Sequence, residues 1–141
     1  PLKNIIYQVH IYIPGSYTHQ GIGASWKDLK AGKFVTYPKD VGGKRYLRSN
    51  LATVRSFQEE YGAIIFCGEF SAIRWAPGAE KYVRDVISLC EEYGWSWTYH
   101  AFRESHFWSV EHEPDFNTVT LAKEDTPLKK VLLKYFSRNR R

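Results

Sequence analysis

The sequence predicts an α/β protein built from repeated strand–helix units with parallel strands. Two observations carry this. Three short apolar runs rich in β-branched and aromatic residues, within 5–13, 64–70 and 95–101, each end in polar or aromatic residues. Each is followed by a segment with helical hydrophobic spacing, so the order is strand–helix three times over. Repeated units of this kind require parallel strands with right-handed crossovers. A (β/α) barrel and an open doubly wound sheet both fit. Three strands cannot close a barrel, which takes about eight strands and ~250 residues. The expectation is therefore an open sheet or a piece of something larger.

Residues 5–13 alternate cleanly, with Tyr7, Val9, Ile11 and Ile13 on one face and Gln8, His10 and Tyr12 on the other, until Pro14-Gly15 ends the strand. The second face turns polar toward its C-terminal end, as an interior does where it opens into a site. Residues 16–44 read as a long loop with Trp26, Phe34 and Tyr37 as internal anchors. A loop of that length in a compact domain is usually a lid or a binding loop. Residues 45–61 form a helix with Leu47, Leu51, Val54 and Tyr61 on its apolar stripe and Gly62 just past its end.

The second strand, Ile64-Ile65-Phe66-Cys67-Gly68-Glu69-Phe70, organises the rest. It reads as a buried parallel strand that delivers one carboxylate to its C-terminal end. Strict alternation puts Ile65, Cys67 and Glu69 on one face. A glutamate at the apolar tip of such a strand is costly to bury without partners or work to do. A second helix runs over 79–93, with Tyr82, Val83, Val86, Cys90 and Tyr93 inward and Gly94 closing it. In the third run Ser96, Thr98 and His100 share one face, and Trp95, Trp97 and Tyr99 the other. A polar segment, 103–126, leads to Thr126-Pro127, which caps a last helix with Leu128, Val131, Leu132, Tyr135 and Phe136 as its stripe.

With 141 residues, 43% of them hydrophobic and 25% charged, the chain suffices for one domain with a real core, spanning 1–141. The 5 Trp, 10 Tyr and 8 Phe exceed what a core of this size needs, and such rings stack on sugars or bases. The net charge of +5 owes much to Arg138, Arg140 and Arg141 at the terminus, so charge alone marks no nucleic-acid surface. No apolar run approaches the ~18 residues of a membrane span, and no signal peptide is visible in a chain that opens on Pro1. Cys67 and Cys90 sit among apolar neighbours as buried thiols, although a disulfide between them is open. The glycine patterns of dinucleotide sites and P-loops are missing. The histidines lack close metal-ligand spacing, and no G-x-S-x-G elbow occurs. No cofactor and no metal are expected. Cys67 as a nucleophile would lie on the face of Glu69, but deep in a strand.

With each strand's polar face inward, His10, Tyr12, Glu69 and His100 reach one rim. Retaining glycosidases use two acids ~5 Å apart, and Glu69 supplies one. Glu104 and Glu113 are the available second acids, both in the final loop where solvated carboxylates are the rule.

Gly68-Glu69-Phe70, with Ala72-Ile73-Arg74-Trp75 after it, resembles the nucleophile strand of cellulase-type glycoside hydrolase family 5. Val9-His10-Ile11-Tyr12 resembles that family's preceding strand, and 94–104 its closing strand. The resemblance implies a TIM (β/α)8 barrel of which this chain is the last three βα units, the C-terminal part of a catalytic domain. It implies that Glu69 is the nucleophile, that Tyr12 orients it and that His10 binds near the cleaved sugar. It also implies an acid/base glutamate in an Asn-Glu-Pro motif on an earlier strand; this chain has no Asn-Glu-Pro, and His112-Glu113-Pro114 stands elsewhere. The family's stacking tryptophan ends the last strand, where the face count here puts His100.

The expectation is thus a retaining endo-β-glycanase acting on β-1,4-glucan, a cellulase-type endoglucanase of polysaccharide degradation. Trp75, His100 and Trp108 are expected sugar contacts. As a fragment the chain is expected to be inactive without a partner that supplies the N-terminal barrel half. A polysaccharide substrate places it outside the cell, secreted, periplasmic or on the surface. No nucleic acid and no membrane are expected as partners. Two alternatives stay open: a noncatalytic aromatic-rich carbohydrate-binding α/β module, and a basic nucleic-acid binder with steep salt dependence.

Overall fold

The computed structural model describes residue 2 and residues 4–139; Pro1, Lys3 and the tail residues Arg140 and Arg141 lie outside the described residues. In chain order the elements are β1 (Ile6–Ile11), the short helices α1 (Gly15–Thr18) and α2 (Trp26–Lys30), α3 (Gly43–Tyr61), β2 (Ile64–Phe70), α4 (Ala79–Tyr93), β3 (Ser96–Trp97) and α5 (Pro127–Phe136). The strands lie in the order β1-β2-β3, and both pairings are parallel. This is the α/β layer of three βα units that the sequence predicts.

α3, α4 and α5 cover one face of the sheet. Tyr7 meets Phe57 of α3 edge to face at 4.9 Å, and Trp97 stacks on Phe136 of α5 at 5.7 Å. α4 lies between the other two, so it buries Ile87 and Leu89 in addition to the predicted Tyr82, Val83, Val86 and Cys90. α3 and α4 both end on glycines in the left-handed conformation, Gly62 and Gly94, where a side chain would be strained. Thr126 caps α5 by accepting from Lys129 N–H at 3.1 Å.

Several expected positions shift. Tyr61, the last residue of α3, is 47% exposed, and Phe136 rests its ring on Trp97 from the surface. β3 is only two residues long, but the chain still tracks β2 beyond it. Thr98 N–H donates to Cys67 O at 3.0 Å and His100 N–H to Phe70 O at 3.3 Å. Of the anchors expected in the long loop only Tyr37 is buried, and Trp26 and Phe34 reach the surface. Their place is taken by Tyr17, whose ring clusters with Tyr37 and Tyr82 at 5.9 and 5.4 Å. Tyr17 donates to Pro77 O, Tyr37 to Asp85 and Tyr82 to Ile13 O. The loop is thereby stapled to the start of α4. Gly78 allows this close approach, since a Cβ there would stand 2.2 Å from Tyr37 O.

The face of the sheet away from the helices, the hollow of the barrel reading, is left uncovered among the described residues. At its N-terminal end Ile6 and Ile64, paired across β1 and β2, are each 63% exposed.

Candidate active site

The register between β1 and β2 runs evenly from Ile6↔Ile64 to Val9↔Cys67 and then slips, so that His10 pairs with Glu69. Gly68 is the extra residue of a β-bulge. This corrects the face assignment from strict alternation: Cys67 stays with Val9 on the helix side, whereas Glu69 turns with His10 into the hollow. Phe70, one residue on, is fully buried. A Cβ at Gly68 would stand 2.4 Å from the side-chain amide nitrogen of Gln8, on the hollow side, so Gln8 occupies the space the glycine leaves. Cys67 is fully buried, and contact with Cys90 together with burial raises its pKa, so it is an inert thiol remote from Glu69's face.

Glu69 is bordered by β1. Tyr12 O–H donates to Glu69 Oε2 at 3.1 Å, and His10 Nδ1 stands 3.6 Å from the same oxygen. Gln8 Nε2 is 2.6 Å from His10 Nε2. With the amide nitrogen as donor, His10 Nε2 accepts and the ring proton lies on Nδ1, facing the carboxylate. Among the described residues Oε1 has no hydrogen-bond partner and the carboxylate is 35% exposed, so one oxygen is held and the other is open to the hollow. Burial, then the hydrogen bond and charge of Glu69, raise the Tyr12 pKa well above the usual tyrosine range. Tyr12 therefore remains a hydrogen donor at any physiological pH.

The chain beyond each strand builds the wall. His19 lies edge-on to Tyr12 at 5.2 Å and to Trp108 at 5.4 Å, with its Nδ1 2.8 Å from Thr18 Oγ1. Burial lowers its pKa, which favours the neutral ring. His100 stands 6.4 Å from Tyr12 and 5.8 Å from Trp108, and its Nε2 is 2.6 Å from Glu104 Oε2. The structure therefore brings together His10, Tyr12, Glu69, His100 and Trp108 from three units of the chain. Trp75 is set apart from them. It is 7% exposed, its indole N–H donates to Gln20 O at 2.9 Å, and Phe107 and Phe116 enclose its ring. Glu104 is engaged with His100, and Glu113 offers its carbonyl to the Arg74 guanidinium. Among the described residues no cluster of three or more His, Cys, Asp or Glu is placed to hold a metal ion.

Gln8, His19 and Gly68 belong to this site although they were not among the expected site residues. Gln8 shares the polar face of His10, and His19 follows the first strand's tip, so both had a positional signal. The bulge at Gly68 had none.

No family model matches the chain. It is 31% identical over 92 residues to cellodextrinase A of Ruminococcus flavefaciens, covering 64% of this chain and 24% of that protein. It is 29% identical over 123 residues to endoglucanase C of Acetivibrio thermocellus, covering 67% of this chain and 36% of that one. Among solved structures, endoglucanase Cel5A of Thermotoga maritima superposes with a TM-score of 0.68 at 28% identity, over 93% of this chain and 40% of that chain. The same enzyme in complex with mannotriose gives a TM-score of 0.67 at 27% identity. The chain thus spans 24% to 40% of the length of these relatives.

Proposed function

We propose that this chain, similar to endoglucanases over most of its length, forms the last three βα units of a (β/α)8 barrel of glycoside hydrolase family 5 and carries the nucleophile half of a retaining endo-β-1,4-glucanase site. The observation that carries the proposal is the held carboxylate: Glu69 at the end of a parallel strand, with Tyr12 and His10 both on Oε2.

In the proposed reaction Glu69 Oε1, the free oxygen, attacks the anomeric carbon as the glycosidic bond breaks. Tyr12 fixes the carboxylate's orientation, which converts a mobile side chain into a positioned one. His10, directed by Gln8, lies beside the same oxygen and would contact the sugar at the point of cleavage. His100 and Trp108 line the wall against which that sugar rests. Water then opens the glycosyl-enzyme. Proton donation to the leaving oxygen needs a second, protonated carboxyl group, which the resemblance places in the N-terminal barrel half.

That half would also bury Ile6 and Ile64, whose exposure on the hollow face suits a barrel interior more than a surface. We take residues 1–141 as the C-terminal part of one catalytic domain, inactive alone. No helix among the described residues is long and apolar enough to cross a membrane. A polymeric substrate implies action outside the cell.

The test joins the chain to the first five βα units of a relative and measures release of reducing ends from a soluble β-1,4-glucan. Glu69→Gln should lower that rate by about a thousandfold or more. A fluorinated glucoside that arrests the intermediate should add its glycosyl mass to the peptide bearing Glu69. Activity that survives the substitution would remove Glu69 as nucleophile. Glucan binding without hydrolysis, indifferent to Glu69→Gln, would favour the noncatalytic module.

A further inference from the structure

Trp108 belongs to the chain between β3 and α5, which holds no helix and only one isolated bridge, His112↔Leu121. No ladder or helical turn sets where its ring stands, so its place depends on packing and on individual hydrogen bonds. Two of these reach its backbone from neighbouring strand ends. Arg74 N–H donates to Phe107 O at 2.9 Å, and the Tyr99 hydroxyl donates to Trp108 O at 2.8 Å. The Tyr99 oxygen in turn accepts from Ser71 Oγ at 2.9 Å. Ser71 is fully buried and stands two residues past Glu69.

We propose that Tyr99 is a positioning residue of the Glu69 site, its hydroxyl fixing the Trp108 ring as the wall on which the sugar rests; the proposal rests on the glycanase reading of that site. Three observations support it. First, the bonds run one way. A carbonyl can only accept, so Tyr99 gives its single proton to Trp108 O and has only a lone pair left for Ser71. Burial raises the Tyr99 pKa above the usual tyrosine range, so that proton stays in place at any physiological pH. The Tyr99 ring meets Phe70, the residue after Glu69, edge to face at 5.8 Å. Ring and hydroxyl therefore both take their reference from the strand that carries the acid.

Second, Trp108 stands where the placement matters. Its ring meets His19 at 5.4 Å and His100 at 5.8 Å, and these border Tyr12 at 5.2 and 6.4 Å. Tyr12 donates to Glu69. Trp108 is thus joined to the carboxylate by two routes, along the wall of the hollow and through the core behind it.

Third, Trp75 is buried away from the hollow, which leaves Trp108 to supply the broad apolar ring that a pyranose face packs on. A gap of about 0.5–1 Å forfeits a quarter to a half of each dispersion contact. A hydroxyl that holds the tryptophan's own carbonyl prevents such a gap.

The experiment uses the whole barrel, residues 1–141 joined to the first five βα units of a relative, and compares Tyr99→Phe, Trp108→Ala and the double variant. Tyr99→Phe keeps the ring on Phe70 and removes only the hydroxyl. It should raise KM for a soluble β-1,4-glucan about three- to tenfold and leave kcat within about twofold, because a stacking wall binds ground and transition states alike. Trp108→Ala should raise KM about tenfold or more, and in that background Tyr99→Phe should add nothing, since the hydroxyl acts through Trp108. Urea unfolding accompanies each variant. Should Tyr99→Phe lose its cooperative transition, Ser71→Ala replaces it in the cycle, with a smaller KM rise of about two- to threefold that also vanishes without Trp108. An unchanged KM, or the same rise in both backgrounds, overturns the positioning role and leaves the Glu69 reading standing. A parent barrel that unfolds cooperatively but releases no reducing ends overturns the glycanase reading. One without a cooperative transition overturns the barrel assignment, and the role of Tyr99 falls with either.

Discussion

Substituting Gly68 by alanine tests whether the bulge sets the candidate site. Gly68 is not in the left-handed region, so its backbone admits a Cβ without strain. On backbone grounds alone Gly→Ala should stabilise by about 0.4–1 kcal/mol, through the unfolded chain. The obstacle is Gln8, whose amide nitrogen, Cδ and Cγ would stand 2.4, 2.5 and 2.9 Å from the new carbon. Those distances cannot persist, so Gln8 must swing out and release His10 Nε2, now 2.6 Å away. Crowding of this kind costs about 1–3 kcal/mol, and the exposed hydrogen bond adds about 0.5 kcal/mol. The flexible amide yields readily, which favours the low end. The expected net effect is therefore a destabilisation of about 0.5–1.5 kcal/mol. In a Gln8→Ala background all three obstructing atoms are gone, and Gly68→Ala should become neutral or stabilising. Urea unfolding of the four proteins in the cycle gives the coupling, expected at about 1–2 kcal/mol. An identical effect of Gly68→Ala in both backgrounds would refute the placement of Gln8 over the bulge, and with it the turning of Glu69 toward His10.

Tyr17, Tyr37 and Tyr82 are buried with pKa values raised by that burial. Their folded values lie above the unfolded ~10, so the associated stability is intact below pH ~10 and is lost as pH rises beyond it. Unfolding free energy should fall there by up to about 4 kcal/mol per pH unit, and a flat profile to pH ~11 in denaturant titrations would contradict their burial. Arg74→Met leaves four carbonyls without their donor and should cost at least about 3 kcal/mol, with faster proteolytic cleavage between 103 and 122. Arg74→Lys, which has fewer and differently arranged N–H groups, should recover only part of this, and full recovery would show that charge alone holds the loop. In the reassembled barrel Tyr12→Phe should lower kcat about ten- to a hundredfold with little change in KM, since the hydroxyl touches Glu69 and not the bulk of the sugar. A rise in KM alone would move Tyr12 from orienting the carboxylate to binding substrate.

The helices were legible because their cues are local. Glycines follow α3 and α4, Thr126 caps α5 with Pro127 as its first residue, and apolar residues recur at helical spacing. What could not be read was set by neighbours. Trp26 and Phe34 carry the same local signal as Tyr37, but only Tyr37 finds Tyr82 and Asp85 on α4. Likewise Trp75 carries the local signal of a sugar contact, an aromatic ring in the chain after a strand. Its burial depends on Gln20, Phe107 and Phe116, which come from other units of the chain.

Glu69 lies beside His10 and Tyr12 for a reason that alternation does not supply. Period-two counting puts it with Ile65 and Cys67, and taking that face as inward brings it to the rim of His10 and Tyr12. In the structure the face of Ile65 and Cys67 is the one the helices cover, so strict alternation would bury the carboxylate beside Cys67. One extra residue resolves this. The slip between Val9 and His10 leaves Ile65 and Cys67 packed beneath the helices and rotates only the strand's last residues. The core then keeps its apolar lining while the acid enters the hollow. A bulge costs ladder hydrogen bonds, and here Thr98 recovers one of them by donating through Oγ1 to Gly68 O at 2.6 Å. Gln8 fills the space that the glycine leaves. A side chain at position 68 would have to displace Gln8, and the slip is what turns Glu69 to face His10 and Tyr12. A register measured without the slip would separate the carboxylate from them.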